Sequence, residues 1–309
     1  MVMKKVFWII LCMFFILPVI FAENMKLHYE RPAEYFEEAL VIGNGTMGAT
    51  LYGGVKKDKI SFNDITLWTG EPESENSSPD AFNAIPEIRA LLDNEDYQGA
   101  DKAQYKVQGH YSENYQPLGT LTIEYLDDTV GISDYHRWLD IGNATARTQY
   151  LKGGKLFTSD YFASAPDSVI VIRLKSENKE GIHALLSFDS PLPHSSQVAD
   201  NEISVEGYAA YHSFPVYYKA EDKHRYDPER GIHFKTLVRV LSVDGRVKNR
   251  YSDSRIEIDG STEVLIWVAN VTSFNGFDKD PVKEGRNYRS HVEKRMKCAI
   301  GKTYDALRE

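Results

Sequence analysis

Along much of the chain, apolar and polar positions alternate with a period of two in short runs broken by turn-forming residues. In Thr120-Leu121-Thr122-Ile123-Glu124-Tyr125-Leu126, the side chains of Leu121, Ile123 and Tyr125 share one face, as in a strand with one side buried. Gly48–Gly54 and Lys59–Phe62 flank the polar connection Val55-Lys56-Lys57-Asp58 and predict a hairpin. Gln149-Tyr150-Leu151 and Lys155-Leu156-Phe157 bracket Gly153-Gly154, whose freedom at positive φ suits a tight turn. Val169-Ile170-Val171-Ile172 is a β-branched run without alternation, the signature of a strand covered on both faces. Further strands are expected at 182–188, 202–210, 232–243, 254–258 and 263–271. Such spacing predicts an all-β chain, a large antiparallel β-sandwich over residues 26–278, rather than alternating βαβ units. Residues 189–230, irregular and rich in Pro, His and Tyr, receive no assignment.

Two segments follow a helical period instead. Within 81–107, Ile85, Ile88, Leu91 and Leu92, then Tyr97, Ala100, Ala103 and Val107, recur at helical spacing, with Pro86 suited to an opening turn. They predict two short helices inserted between strands. In 280–309, Asp280 offers an N-cap and Pro281 a first turn, while Tyr288, Val292, Met296, Ala299 and Tyr304 continue one face. This C-terminal helix reads as the start of an interdomain linker, and the absence of a Gly or Pro stop before Glu309 predicts a further domain beyond it.

The first residues change the picture of where the protein works. Lys4 and Lys5 precede an apolar stretch from Val6 to Phe21, and Ala22 stands before the polar Glu23-Asn24. Residues 1–22 therefore read as a signal peptide of an exported protein, periplasmic or extracellular. The charged start and short apolar run favour cleavage over a retained membrane anchor, so no membrane association is expected afterwards. Cleavage would remove two lysines and no acids, moving the net charge from −9 to −11. No basic patch offsets that charge, so nucleic acid is excluded as a partner. With Cys12 gone, Cys298 is left without an internal disulfide partner and is expected as a helix-packing thiol. Stability must come from core burial, for which a composition 42% hydrophobic with 19 Tyr and 14 Phe is ample.

Candidate chemistry is sparse. The 45 acidic residues show no distinctive pairing, and Asp127-Asp128 and the acids near Glu71 read as solvated connections. His224, Asp227 and His233 match no zinc spacing and lie among Lys223, Arg225 and Arg230, so no metal site is assigned. Ile42-Gly43-Asn44-Gly45-Thr46-Met47-Gly48 lacks the βαβ context of a phosphate loop and reads as a tight turn. Trp68 could stack on a sugar face or pack in the fold. The amides of Asn44, Asn63 and Gln116 could meet sugar hydroxyls or support turns.

Three stretches taken together carry a resemblance: Ala33–Ala49 with its Ile-Gly-Asn-Gly-Thr-Met-Gly core, Phe62-Asn63-Asp64-Ile65-Thr66-Leu67-Trp68-Thr69-Gly70, and Tyr115-Gln116-Pro117-Leu118-Gly119. In this order they resemble the N-terminal domain of glycoside hydrolase family 95, the inverting α-L-fucosidases. The family usually has an apolar-Pro pair where this chain has Leu40-Val41. The resemblance implies a β-sandwich followed by a helical linker and an (α/α)6 barrel that carries the catalytic groups. It implies no cofactor, and a substrate of fucosylated oligosaccharides reached through that barrel. No residue of this chain then receives a catalytic role. Asn44, Asn63, Trp68 and Gln116 are the candidates for substrate or interdomain contact. A stand-alone carbohydrate-binding module is the alternative.

Overall fold

Side-chain alternation decides the architecture. In β5 (Gly119–Tyr125) Leu121, Ile123 and Tyr125 are buried, while Thr120, Thr122 and Glu124 stay partly exposed. The computed structural model describes residues 25–73, 80–109 and 111–309, so the leader at 1–22 lies outside the described residues. Strands are numbered in chain order, β13 (His212–Ser213) and β14 (His224–Arg225) forming a separate two-stranded ribbon. One sheet runs β1 (Lys26–Tyr29), β6 (Ile132–Asp140), β7 (Thr145–Lys152), β8 (Lys155–Ser164), β9 (Val169–Ser176), β18 (Glu263–Thr272), β15 (His233–Ser242), β12 (Glu202–Tyr208), β11 (His194–Ala199). The other runs β16 (Arg246–Arg250), β17 (Arg255–Ser261), β10 (Ile182–Asp189), β5, β4 (Lys57–Asp64), β3 (Met47–Leu51), β2 (Leu40–Gly43). Neighbouring strands pair antiparallel, and the two inner faces meet in one apolar core containing Ile60, Phe62, Leu121, Ile123, Ile170 and Ile266. The expected antiparallel β-sandwich is what forms.

The glycine pair of the β7–β8 hairpin has φ of 56° at Gly153 and 73° at Gly154, the left-handed pair that a two-residue turn between twisted strands requires. β9 is buried on both faces, as its unalternating run predicts. Ile170 and Ile172 enter the sandwich core, whereas Val169 and Val171 face a second cluster with Trp267, Ala269 and Val271 of β18. That outer cluster is closed by α3 (Tyr288–Ile300) through Tyr288, Val292, Met296 and Ala299, and by Leu307 of α4 (Tyr304–Arg308).

The insertion at 81–107 forms α1 (Ala81–Asp93), α2 (Tyr97–Ala103) and a 3-10 turn, Gln104–Val107, which pack on one another. Pro86 lies inside α1, past its first turn. The C-terminal helix starts later than expected. Asp280 accepts from the N–H groups of Val282 and Lys283, both at 2.9 Å, and so caps a separate turn. Arg286 N–H then bonds Ser273 O at 3.0 Å, drawing the chain back to the end of β18, and Asn287 caps α3 by accepting from Ser290 N–H. Cys298 lies on the exposed side of α3 and is not the packing thiol its surroundings suggested.

A buried carboxylate crosses between the sheets. Asp58 of β4 accepts from Tyr161 Oη of β8 at 2.7 Å and from Gly54 N–H at 2.9 Å. Burial raises its pKa to about 6, and these hydrogen bonds only partly oppose the shift. A raised folded-state pKa means the folded chain holds the proton more firmly than the unfolded chain. This group therefore stabilises the fold at low pH, and that contribution is lost as pH rises through about 6. Relative to Asp58→Asn, the parent protein should lose on the order of 3 kcal/mol of stability between about pH 4 and pH 7. Urea unfolding at the two pH values checks this, and parallel curves for the two proteins would remove the assignment.

Candidate functional site

The loop leaving β4 is built by Asp64. Its Oδ1 accepts from Thr66 N–H at 2.9 Å and Thr66 Oγ1 at 2.7 Å, turning the chain as soon as the strand ends. Leu67 then points into the core and Trp68 points out, 44% exposed. The indole N–H of Trp68 donates to Ile65 O at 3.0 Å, and Tyr115 meets the ring edge-on, 5.5 Å between centroids. Burial, with a smaller contribution from the Asp64 carboxylate, pushes the Tyr115 phenol above its ordinary range. Thr69 N–H bonds Asn114 O at 2.8 Å and Gly70 N–H bonds Ala210 O at 3.1 Å. Gly70 is needed here: its φ is 103°, and a Cβ would lie 2.6 Å from Cγ of Glu113.

These contacts shape a cavity of about 340 Å³ bordered by Trp68, Glu71, Glu113, Phe274, Phe277 and Lys279. Phe277 is 89% exposed at its mouth. Both carboxylates are already engaged. Glu113 accepts from Thr69 Oγ1 and from Ser213 N–H (3.1 Å), and meets His212 Nδ1 at 2.7 Å. Glu71 forms a two-point pair with Arg230, whose guanidinium also lies 3.7 Å over the Tyr211 ring. Hydrogen bonding to Glu71 holds Arg230 more firmly charged than usual. Behind them, Asn114 Nδ2 donates to Ser213 Oγ at 2.7 Å, and that oxygen lies 2.9 Å from His224 Nδ1. The cavity is thus an aromatic shelf with polar walls that bond one another. That arrangement suits stacking or packing better than proton transfer, which needs a carboxyl group facing the reacting atoms.

Of the four residues singled out in the sequence, only Trp68 lines this cavity. Asn44 is consumed by the β2–β3 turn. Its carbonyl accepts from Thr46 N–H, Thr46 Oγ1 and Met47 N–H at 3.1, 3.0 and 2.9 Å, and its amide donates to Ser164 O at 3.0 Å. Gln116 is 7% exposed and donates to Tyr115 O at 3.2 Å. Asn63 lies half-buried on β4, opposite Gly48. Glu71, read as a solvated acid, is instead the partner of Arg230. Glu113 and Phe277 carry no motif, and besides Thr69 the residues meeting Glu113, His212 and Ser213, come from the irregular segment 189–230 that the sequence leaves unassigned. His224 and His233 do not converge on Asp227. His233 Nε2 meets Pro228 O at 3.0 Å, and Asp227 accepts from Glu229 N–H at 2.9 Å.

Comparison with known proteins gives the kinship of the domain. Alpha-L-fucosidase 2 of Arabidopsis thaliana is 29% identical over 284 residues, covering 87% of this chain and 34% of the relative. "Probable alpha-fucosidase A" of Aspergillus oryzae is 24% identical, covering 88% and 37%, and its Aspergillus niger counterpart is 27% identical, covering 93% and 36%. The chain thus spans about a third of the length of the curated relatives it matches. The family model that matches residues 27–276 is described as "Glycosyl hydrolase family 65, N-terminal domain". It therefore bears a different family number from the 95 that the motifs suggested, while the glycosidase N-terminal domain stands. Over most of its length, this chain belongs to the glycosyl hydrolase family 65 N-terminal domain family.

Proposed function

We propose that this chain is the N-terminal sandwich of an exported glycoside hydrolase of the inverting α-L-fucosidase type, acting on terminal α-L-fucosyl residues of glycans. In this reading it braces a catalytic domain and leaves the chemistry to it. The observation that carries the proposal is the match to proteins named as α-fucosidases across nearly nine-tenths of this chain and about a third of theirs. The cavity supports it. Glu71 and Glu113 hold loops together rather than facing a substrate, so the acid and base of glycoside hydrolysis belong elsewhere in such an enzyme. Exposed apolar side chains support a bracing role too: Trp68 and Phe277 at the cavity, and Phe82, Tyr97 and Tyr105 on the inserted helices, are surfaces that a second domain would cover.

A carbohydrate-binding module is the second reading, favoured by the half-exposed Trp68 ring beside the cavity, because an aromatic face suits sugar C–H groups. Incubated alone with fucosylated oligosaccharides, the chain is expected to release no L-fucose and to give no heat of binding in calorimetry. Release of L-fucose would overturn the claim that catalysis lies outside this domain. Binding that disappears in Trp68→Ala, with the thermal transition intact, would replace bracing by glycan capture.

Export through residues 1–22 belongs to the same proposal, on the strength of Lys4, Lys5 and the apolar run to Phe21. Mass spectrometry of the protein recovered from a secreting host should find a mature N-terminus within a few residues of Glu23. Recovery of the intact leader in the membrane fraction would favour an anchor instead.

A further inference from the structure

Away from the cavity, the outer face of the nine-stranded sheet brings two imidazoles and a carboxylate together at its β1 edge. Strand alternation sorts the residues. Tyr29 and Arg137 pair across β1 and β6 on the inner side, with the guanidinium 4.2 Å over the ring. His28 and Glu30 therefore point outward, as do His136 and Trp138. His28 Nε2 and His136 Nδ1 are 3.2 Å apart, and their rings stack with centroids 5.2 Å apart. A carboxylate oxygen of Glu30 completes the group, with all three potential ligand atoms within 4.8 Å of one another.

We infer that His28, His136 and Glu30 form a binding site for a divalent late first-row transition ion, with zinc the fitting case. Two nitrogens each about 2.0–2.1 Å from a tetrahedral zinc lie about 3.3–3.4 Å apart, close to the spacing already present between these rings. Glu30 is exposed one residue past the end of β1, so a change of rotamer brings its oxygen into the first coordination sphere. Imidazole donors select zinc, nickel or copper over calcium and magnesium, which prefer all-oxygen sets. Three protein ligands leave the solvent side of the ion open.

Two further features point the same way. A β-bulge between Ser133 and His136 breaks the β6–β7 register, and Asp134 within it has φ of 55°, an unusual conformation for a residue other than glycine. The bulge places Asp134 Oδ1 3.9 Å from His136 Nε2, the nitrogen facing away from His28. That distance is too long for a hydrogen bond, so Asp134 acts on the ring as a nearby negative charge that favours a bound cation. Of the nearby cations, Lys26 pairs with Asp140, Arg147 with Asp160 and Arg31 with Glu38, while Arg137 points inward and is held by the main-chain carbonyls of Arg31 and Glu38. Glu30 and Asp134 thus remain to attract a cation.

The full chain, stripped of metal by a chelator and titrated with zinc chloride in a calorimeter, is expected to bind one ion per chain with saturation. His28→Ala and His136→Ala should each weaken uptake by at least about tenfold, and Asp134→Asn, which tolerates the same backbone, by a smaller factor. Cys298→Ala should leave it unchanged. In NMR spectra the imidazole Cε1 protons of His28 and His136 should shift together as the site fills. The inference fails if no saturable one-to-one uptake is seen. It also fails if a folded His28→Ala/His136→Ala variant binds zinc as the parent does, or if those two imidazole signals stay in place. None of these outcomes bears on the glycosidase reading, so the two proposals stand or fall separately.

Discussion

One buried hydrogen bond, from the Asn270 amide to the Asp64 carboxylate at 2.8 Å, couples nearly every part of this domain. Asp64 ends β4 in the seven-stranded sheet, and Asn270 lies in β18 at the centre of the nine-stranded one. The same amide accepts from Thr236 Oγ1 at 2.8 Å, the Asn270 carbonyl accepts from Arg295 Nη1 of α3 at 2.7 Å, and Asp64 also holds Thr66, whose hydroxyl meets that of Thr272. Both sheets, the C-terminal helix and the loop that presents Trp68 therefore meet at one polar junction. In a low-dielectric interior such a junction favours a single arrangement, because a slipped sheet would strand a buried carboxylate at a cost of about 1–3 kcal/mol or more. Asn270-Val271-Thr272 matches the Asn-x-Thr pattern of a glycosylation acceptor, but its amide is fully buried at this junction.

The second constraint is that β9 and β18 are apolar on both faces. A sandwich covers only one, so the outer side of these strands must be closed by something else, and α3 closes it with Tyr288, Val292, Met296 and Ala299. Read by sequence, 280–309 is a linker leading away from the domain. Its helix packs on Trp267 and Val171 and so covers the outer face of the nine-stranded sheet.

The cavity follows from the same economy. A loop folded tightly over Asp64 leaves Trp68 outside, and the surrounding segments are stitched to it by Glu113 and Glu71. Groups that look catalytic in isolation, a glutamate beside a histidine and a serine beside another histidine, have their hydrogen-bonding capacity taken up within the fold. The cavity then presents the aromatic surface of Trp68 and Phe277.

The sequence by itself determined the sandwich, the Gly153-Gly154 hairpin, the doubly buried β9 and the position of the helical insertion, because burial imposes a period that shows in the order of residues. It did not reveal β1, β2, β11 and β16, the four edge strands of the two sheets, nor β6, which lies one strand in from the β1 edge. An edge strand bonds on one side only and carries polar residues such as His194-Ser195-Ser196-Gln197 or Arg246-Val247-Lys248-Asn249-Arg250, so its alternation is weak. Nor did it show that Glu113 would meet His212, or His28 would meet His136, across roughly a hundred residues of chain. Such meetings depend on strand register and on the bulge at Asp134. Only the tertiary structure decides them, since local pattern records which face a side chain takes and says nothing of which distant residue shares it.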